Sequence, residues 1–325
     1  MGLSLSWPVA AAVLFGALLH ASWNALVKSS QDKALDTALI HLLGSVVALP
    51  LVLLLGWPPA AAWPWLLASL AIHVAYYSAL AGAYQNGDLG LTYPLMRGSA
   101  PLLVAVSATF TLGETLTPMA WVGVIGISAG VLTLGLSPHA FAAPKAVRFA
   151  LVNAVIIALY TVVDALGVRA SSDAAQYVAT LFLLDGWPFA LLVFLRRRDT
   201  ALAYAKQRWP LALGGAIASL GSYGIALWAM TRAPVAMVAA LRETSVLFAV
   251  LMGAWFLKER FNRRRLMGTL IILAGVMALR LGSRPDGSAL INQMAVHKLM
   301  QQTRGKRLVR DTLFKCSSLQ AFQAS

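Results

Sequence analysis

Cysteine is almost missing from this chain: Cys316 is the only one in 325 residues. An internal disulfide is therefore excluded, and so is any metal site built from thiolates. Charge is scarce as well, at 12% of residues against about 25% in an ordinary soluble domain. No stretch has the composition of a separate soluble domain. The connections between apolar runs also lack the grouped His, Asp, Ser or Glu of a membrane-surface enzyme: His139 stands alone and the acidic residues are scattered. Nothing in the sequence calls for a cofactor. Acidic residues are few, 12 against 26 basic ones, for a net charge of +14. Nucleic acid is not the partner this implies, because the basic residues lie between apolar runs and in the tail, where they report topology and anionic lipid.

What is present is apolar sequence, 59% of the chain. Runs of roughly 18 or more apolar residues approach the ~20 that a helix needs to cross ~30 Å of hydrocarbon. They fall near residues 8–28, 37–56, 64–86, 90–113, 118–136, 147–168, 175–195, 209–231, 234–257 and 264–281. The first has no basic residue ahead of it and no convincing cleavage site, so it reads as a retained helix. Short connections such as Asn86-Gly87-Asp88 and Arg232-Ala233-Pro234 leave room only for antiparallel neighbours. Trp57, Trp63, Trp65, Trp121 and Trp209 lie where interfacial belts belong.

The chain repeats itself. Residues 90–114 read GLTYPLMRGSAPLLVAVSATFTLGE, and adding 145 lands on VAMVAALRETSVLFAVLMGAWFLKE at 235–259. Arg97 falls on Arg242, Glu114 on Glu259, and Gly123, Ala129, Gly130 and Val131 on identical residues. At slightly smaller offsets Pro50 falls on Pro188 and Asn24 on Asp164. Five spans per copy is an odd number, so the copies are inverted in the membrane, the pattern of secondary transporters with a site near the midplane. The expected fold is thus all-α: a polytopic membrane protein of about ten transmembrane helices in two inverted five-helix repeats, residues 1–140 and 141–281. A polar, basic tail over 282–325 reads as poorly ordered. Lys and Arg crowd the odd-numbered connections, which places those in the cytoplasm and both termini outside; the basic tail conflicts with that assignment.

An arginine at a helix centre costs roughly 2.5 to 3.5 kcal/mol to insert, so Arg97 and Arg242 need an account. Three remain open: snorkelling to the interface, since about seven residues from a helix start is only ~10 Å deep; an internal salt bridge; or two cations facing a cavity that binds an anion. Inversion leaves their Cα levels ~10 Å apart along the normal, within reach of one small anion, and guanidinium suits bidentate contact with carboxylate or phosphate. His20, Trp23 and Asn24 share a face of the first span, Tyr160 and Asp164 the matching face of the sixth, and Tyr77 belongs to a stripe with His73 and Tyr76 in the third. Each stripe reads either as helix packing or as cavity lining. Asp185, in mid-span before Pro188, is either paired with an arginine such as Arg242 or a proton site coupled to transport. Glu243 points about 100° away from Arg242 on a helix, which makes Arg97 its candidate partner.

Ten spans in two repeats, the LGE at 112–114 and LKE at 257–259, and Gly-rich fifth and tenth helices resemble the EamA branch of the drug/metabolite transporter superfamily over residues 8–281. HASWNALVK at 20–28, with RGSAP and LRETS, is similar to a subgroup associated with phosphonate use. The resemblance implies an alternating-access carrier of a small metabolite in the cell membrane, the bacterial inner membrane if it holds. The expected substrate is anionic or zwitterionic: an amino acid, organic acid or phosphonate-like molecule. Arg97, Arg242, His20, Trp23, Asn24, Tyr77, Tyr160 and Asp164 would line its site, and Asp185 or Glu243 would carry a coupling proton. The other expected partner is the bilayer, with the chain a monomer or homodimer. The alternatives are a flippase-like carrier of a lipid-linked substrate and a non-transporting sensor or scaffold.

Overall fold

A computed structural model describes residues 3–86, 89–135, 143–256 and 263–283. The tail beyond Ser283, Glu259 and the basic residues at 258 and 260 lie outside the described residues. The helices are α1 (Trp7–Ser29), α2 (Lys33–Leu55), α3 (Trp63–Asn86), α4 (Leu89–Thr111), α5 (Pro118–Gly135), α6 (Pro144–Ala170), α7 (Ala174–Arg196), α8 (Arg198–Met230), α9 (Val235–Arg242), α10 (Ser245–Phe256) and α11 (Arg263–Gly282), with a short 3₁₀ turn at Ala60–Ala62. Among the described residues eight stretches are long and apolar enough to cross a bilayer, one of them running through α9 and α10. α3 and α4, of 24 and 23 residues, have the length for a crossing too. The chain is a multi-pass, all-helical membrane protein.

Local chemistry sets the helix ends. Proline opens α1 and α6 within the first two positions, where its missing N–H costs nothing. Asp32 and Asp173 cap α2 and α7 by accepting from Leu35 N and Ala175 N at 3.1 and 2.9 Å. Gly56 ends α2 with a φ of 80°, a left-handed conformation that glycine adopts without strain. α8 begins eleven residues before the apolar run expected at 209. Its polar first turns continue as helix because Tyr204 and Arg208 bond to Asp36 of α2, both at 2.8 Å.

Outward faces carry large apolar side chains, with Leu53, Leu54, Phe110 and Leu195 more than 70% exposed. Hydrocarbon, not water, is the solvent that such a surface fits. Inside, small residues let helices close up. A Cβ on Gly123 of α5 would lie 2.5 Å from Leu279 N of α11, and one on Gly130 would lie 2.9 Å from Gly268 O, so these two backbones pack in direct contact. α2 packs on α7, α3 on α6, α1 on α8, α4 on α6, and α1 on α9 and α10. Exchanging the first five spans for the last five maps each of these pairs onto itself or onto another.

The two ends of the bundle are tied differently. At the end bearing the N-terminus, Arg169 Nη2 bonds Glu114 Oε1 at 2.6 Å, Glu114 Oε2 accepts from Val235 N at 2.7 Å, and Arg169 Nε donates to Met230 O at 2.9 Å. Gln176 reaches Leu55 O at 2.7 Å and Arg280 bonds Leu5 O. At the opposite end Asp36 pairs with Arg208 and Asp32 with Arg197, all on or beside α2, α7 and α8.

Candidate functional site

Arg97 lies midway along α4, which stays one helix despite Pro94 and Pro101. Only 8% of it is exposed, which rules out the snorkelling account for this residue. Its Nε stands 2.8 Å from Glu243 Oε2, so the candidate partner of Glu243 is the one it has. Hydropathy predicts one unbroken helix over 234–257, and here the structure differs. α9 stops at Arg242 and α10 starts at Ser245. Between them the N–H groups of Glu243 and Thr244 donate to Ala240 O and Leu241 O at 3.0 and 3.1 Å, the tighter bonds of a 3₁₀ turn. Thr244 Oγ1 also donates back to Leu241 O at 2.7 Å, a bond that bends helices. No proline or glycine marks the place, which is why the pattern of residues hides it.

Arg242, last residue of α9, has its guanidinium 5.2 Å above the ring centre of Tyr223 on α8, a cation–π contact. Together with Arg97, Pro101, Tyr160, Thr161 and Glu243 it lines a cavity bounded by α4, α6 and α9. The cavity amounts to about 10 Å³, room for a single water. Arg97 Nη2 and Arg242 Nε are buried without a hydrogen-bond partner, a state that normally costs about 1–3 kcal/mol or more per group. A ligand oxygen would relieve both.

Behind this wall sits Asp164, fully buried. Tyr177 donates to its Oδ1 at 2.9 Å, and Tyr223 donates to its Oδ2. Asp164 thus holds the tyrosine whose ring supports Arg242, and it does not itself line the cavity. Tyr160 links the cavity to a row of rings: His73 stacks on it at 4.7 Å, Tyr76 meets it edge-on at 5.9 Å, and Tyr77 meets Tyr76 at 5.4 Å. Tyr77 donates to Asp185 Oδ2 at 3.2 Å, and His41 Nδ1 lies 3.3 Å from the same hydroxyl. The expected pairing of Asp185 with Arg242 is replaced by this half-buried cluster on α2, α3 and α7, because α7 turns Asp185 toward α3. On α1, His20 is within electrostatic range of both arginines and meets Trp23 edge-on at 5.4 Å. Asn24 donates to His20 O at 2.7 Å, a bond within its own helix.

Arg97, Arg242, Glu243 and Tyr160 are therefore brought to one cavity, while Tyr77 and Asp185 form a second cluster. Sequence reasoning missed Tyr177, Tyr223, Thr161 and His41. For Tyr223 a signal existed: the 145-residue offset sets it under Ser78, beside Tyr77, so each copy carries an aromatic residue at that level. No group of three or more His, Cys, Asp or Glu among the described residues could hold a metal ion.

Residues 144–281 match the model of the EamA-like transporter family. The match covers the second half of the chain, span six to span ten. EamA proteins form part of the drug/metabolite transporter superfamily, so the matched half of this membrane protein is similar to a membrane transporter of that type. Curated proteins give no match. Among 28 matching chains of solved structure, one described as a crystal structure of a protein superposes with a TM-score of 0.66. It is 21% identical, over 86% of this chain and 99% of its own. That likeness is one of fold, and it extends over both halves of the chain.

Proposed function

We propose that this EamA-like protein is a secondary carrier of a small anionic or zwitterionic metabolite, working by alternating access around the cavity between α4, α6 and α9. One observation carries the reading: two guanidinium groups from matched spans face one buried cavity and each keeps an unused donor there. Guanidinium donors of this kind select carboxylate, phosphonate or phosphate oxygens. The break between α9 and α10 supports it, since carriers bind substrate at discontinuous helices near the midplane. We take residues 1–140 and 141–281 as the two moving repeats. With room for about one water, the cavity is in a closed form. A substrate of several heavy atoms enters when the repeats rock apart at the end of the basic connections, which we place in the cytoplasm of a bacterial inner membrane. His20 and Trp23 on α1 and Tyr160 on α6 line the way.

Uptake into proteoliposomes tests this. The Arg97→Ala, Arg242→Ala double variant is expected to lose transport of small organic anions by about tenfold or more; transport at the wild-type rate would remove both arginines from the site. Asp185, held by Tyr77 beside His41, is the group we assign to proton coupling. Asp185→Asn is expected to transport equally well with and without a pH gradient, and a variant that still responds to the gradient as wild type does would end that assignment.

A further inference from the structure

Glu243 has no counterpart in the first half. The 145-residue offset puts Gly98 in its place, and a Cβ there would lie 2.6 Å from Leu132 Cγ and 3.2 Å from Ser128 O. Position 98 is filled by α5, so a carboxylate side chain does not fit. In the second half the turn between α9 and α10 gives Glu243 a different surrounding. Its carboxylate lies 2.8 Å from Arg97 Nε and forms part of the cavity wall.

The wall then contains two guanidinium groups and one carboxylate, a formal charge of +1. The other buried acid, Asp164, is not part of this wall; its carboxylate accepts from Tyr177 and Tyr223. A buried site in a low-dielectric surrounding binds best the ligand that brings its net charge to zero. A monovalent anion does so here. A divalent anion would leave an uncompensated negative charge beside Glu243.

Resting on the reading of this cavity as an anion site, we propose that Glu243 determines its charge selectivity. It is a resident counter-charge, present in one repeat only, that sets the empty site at +1 and matches it to small monovalent anions over divalent ones. The donors left for the ligand are Arg97 Nη2 and Arg242 Nε, both buried and unpartnered.

Two probe pairs of nearly equal size differ by one charge above neutral pH: succinamate with succinate, and dimethyl phosphate with methyl phosphate. Affinities for all four are to be measured on the purified full-length carrier by calorimetry, after size exclusion confirms folding. Wild type is expected to prefer the monoanion of each pair. Glu243→Gln, at +2, is expected to shift the ratio toward the dianion by about tenfold or more. Arg97→Gln, at zero, is expected to lose the monoanions, and Arg97→Gln with Glu243→Gln, at +1 again, to recover them. If Glu243→Gln does not fold, this last pair decides. An unchanged ratio in Glu243→Gln overturns the proposal, as does a double variant that binds no better than Arg97→Gln. In either case loss of binding in Arg242→Gln shows that the anion site itself stands. Binding that survives Arg242→Gln, or wild type that takes up none of the four, overturns the anion site and the selectivity with it.

Discussion

Arg97 and Arg242 occupy matched places 145 residues apart, yet their surroundings differ in kind. Arg97 sits within an unbroken α4 against a carboxylate at 2.8 Å. Arg242 sits at the end of a broken span against the face of Tyr223. Matched positions bring two cations to one cavity, and their neighbours differ so that Arg97 has a carboxylate at ion-pair distance and Arg242 an aromatic face. The difference makes a strong statement about stability. Arg97→Leu leaves Glu243 buried with no cation at its carboxylate, and breaking a buried pair from one side costs about 3–5 kcal/mol. Arg242→Leu loses a cation–π contact of about 0.5–2 kcal/mol and also removes a buried donor without a partner. Thermal melting in detergent is expected to show a large drop for Arg97→Leu and a small one for Arg242→Leu. Equal drops would mean that the two arginines are not distinguished by their partners.

Tyr223 sharpens the same contrast on the Arg242 side, because its hydroxyl and its ring do separate things. Tyr223→Phe keeps the ring under Arg242 and removes one hydroxyl donor to the buried Asp164 carboxylate, leaving Tyr177 and Ser69. Losing a partner of a buried charged group costs about 1–3 kcal/mol. Its melting temperature is therefore expected to fall while anion binding stays near wild type, and Tyr223→Leu is expected to lose both. A Tyr223→Phe variant with wild-type stability would mean that Tyr177 and Ser69 satisfy Asp164 without it.

Much of this organisation was legible in the residues. Ten apolar runs give the spans, and the offset of 145 with its matched Arg97 and Arg242 leaves two charges ~10 Å apart along the normal, within reach of one small anion. The proximity of Glu243 to Arg97 followed from the ~100° between helix neighbours, which points Glu243 away from Arg242. What stayed hidden depends on packing between distant segments. Asp164 finds Tyr177 and Tyr223 across 13 and 59 residues, and Asp185 finds Tyr77 across 108. Periodicity has no means of choosing among the many polar residues that could meet there. The extra length of α8 was hidden for a related reason: hydropathy counts apolar residues, and Tyr204 and Arg208 remain helical through their bonds to Asp36.

The smallest expected effect concerns the break that separates the two spans. α4 carries two prolines and remains whole, so proline content does not decide which span bends. The local cause at 242–245 is Thr244, whose hydroxyl takes the Leu241 carbonyl at 2.7 Å while its N–H takes the same carbonyl at 3.1 Å. Such back-bonding weakens the regular ladder and favours a turn. Thr244→Val keeps the shape and removes the hydroxyl, at a net cost of about 0.5–1.5 kcal/mol for one hydrogen bond. A straighter span nine rotates Glu243 relative to Arg97, so the variant is expected to melt within a few degrees of wild type but to bind small anions several-fold differently. If binding is unaltered, the turn is held by the packing of α1 and α4 against α9, and the hydroxyl only follows it.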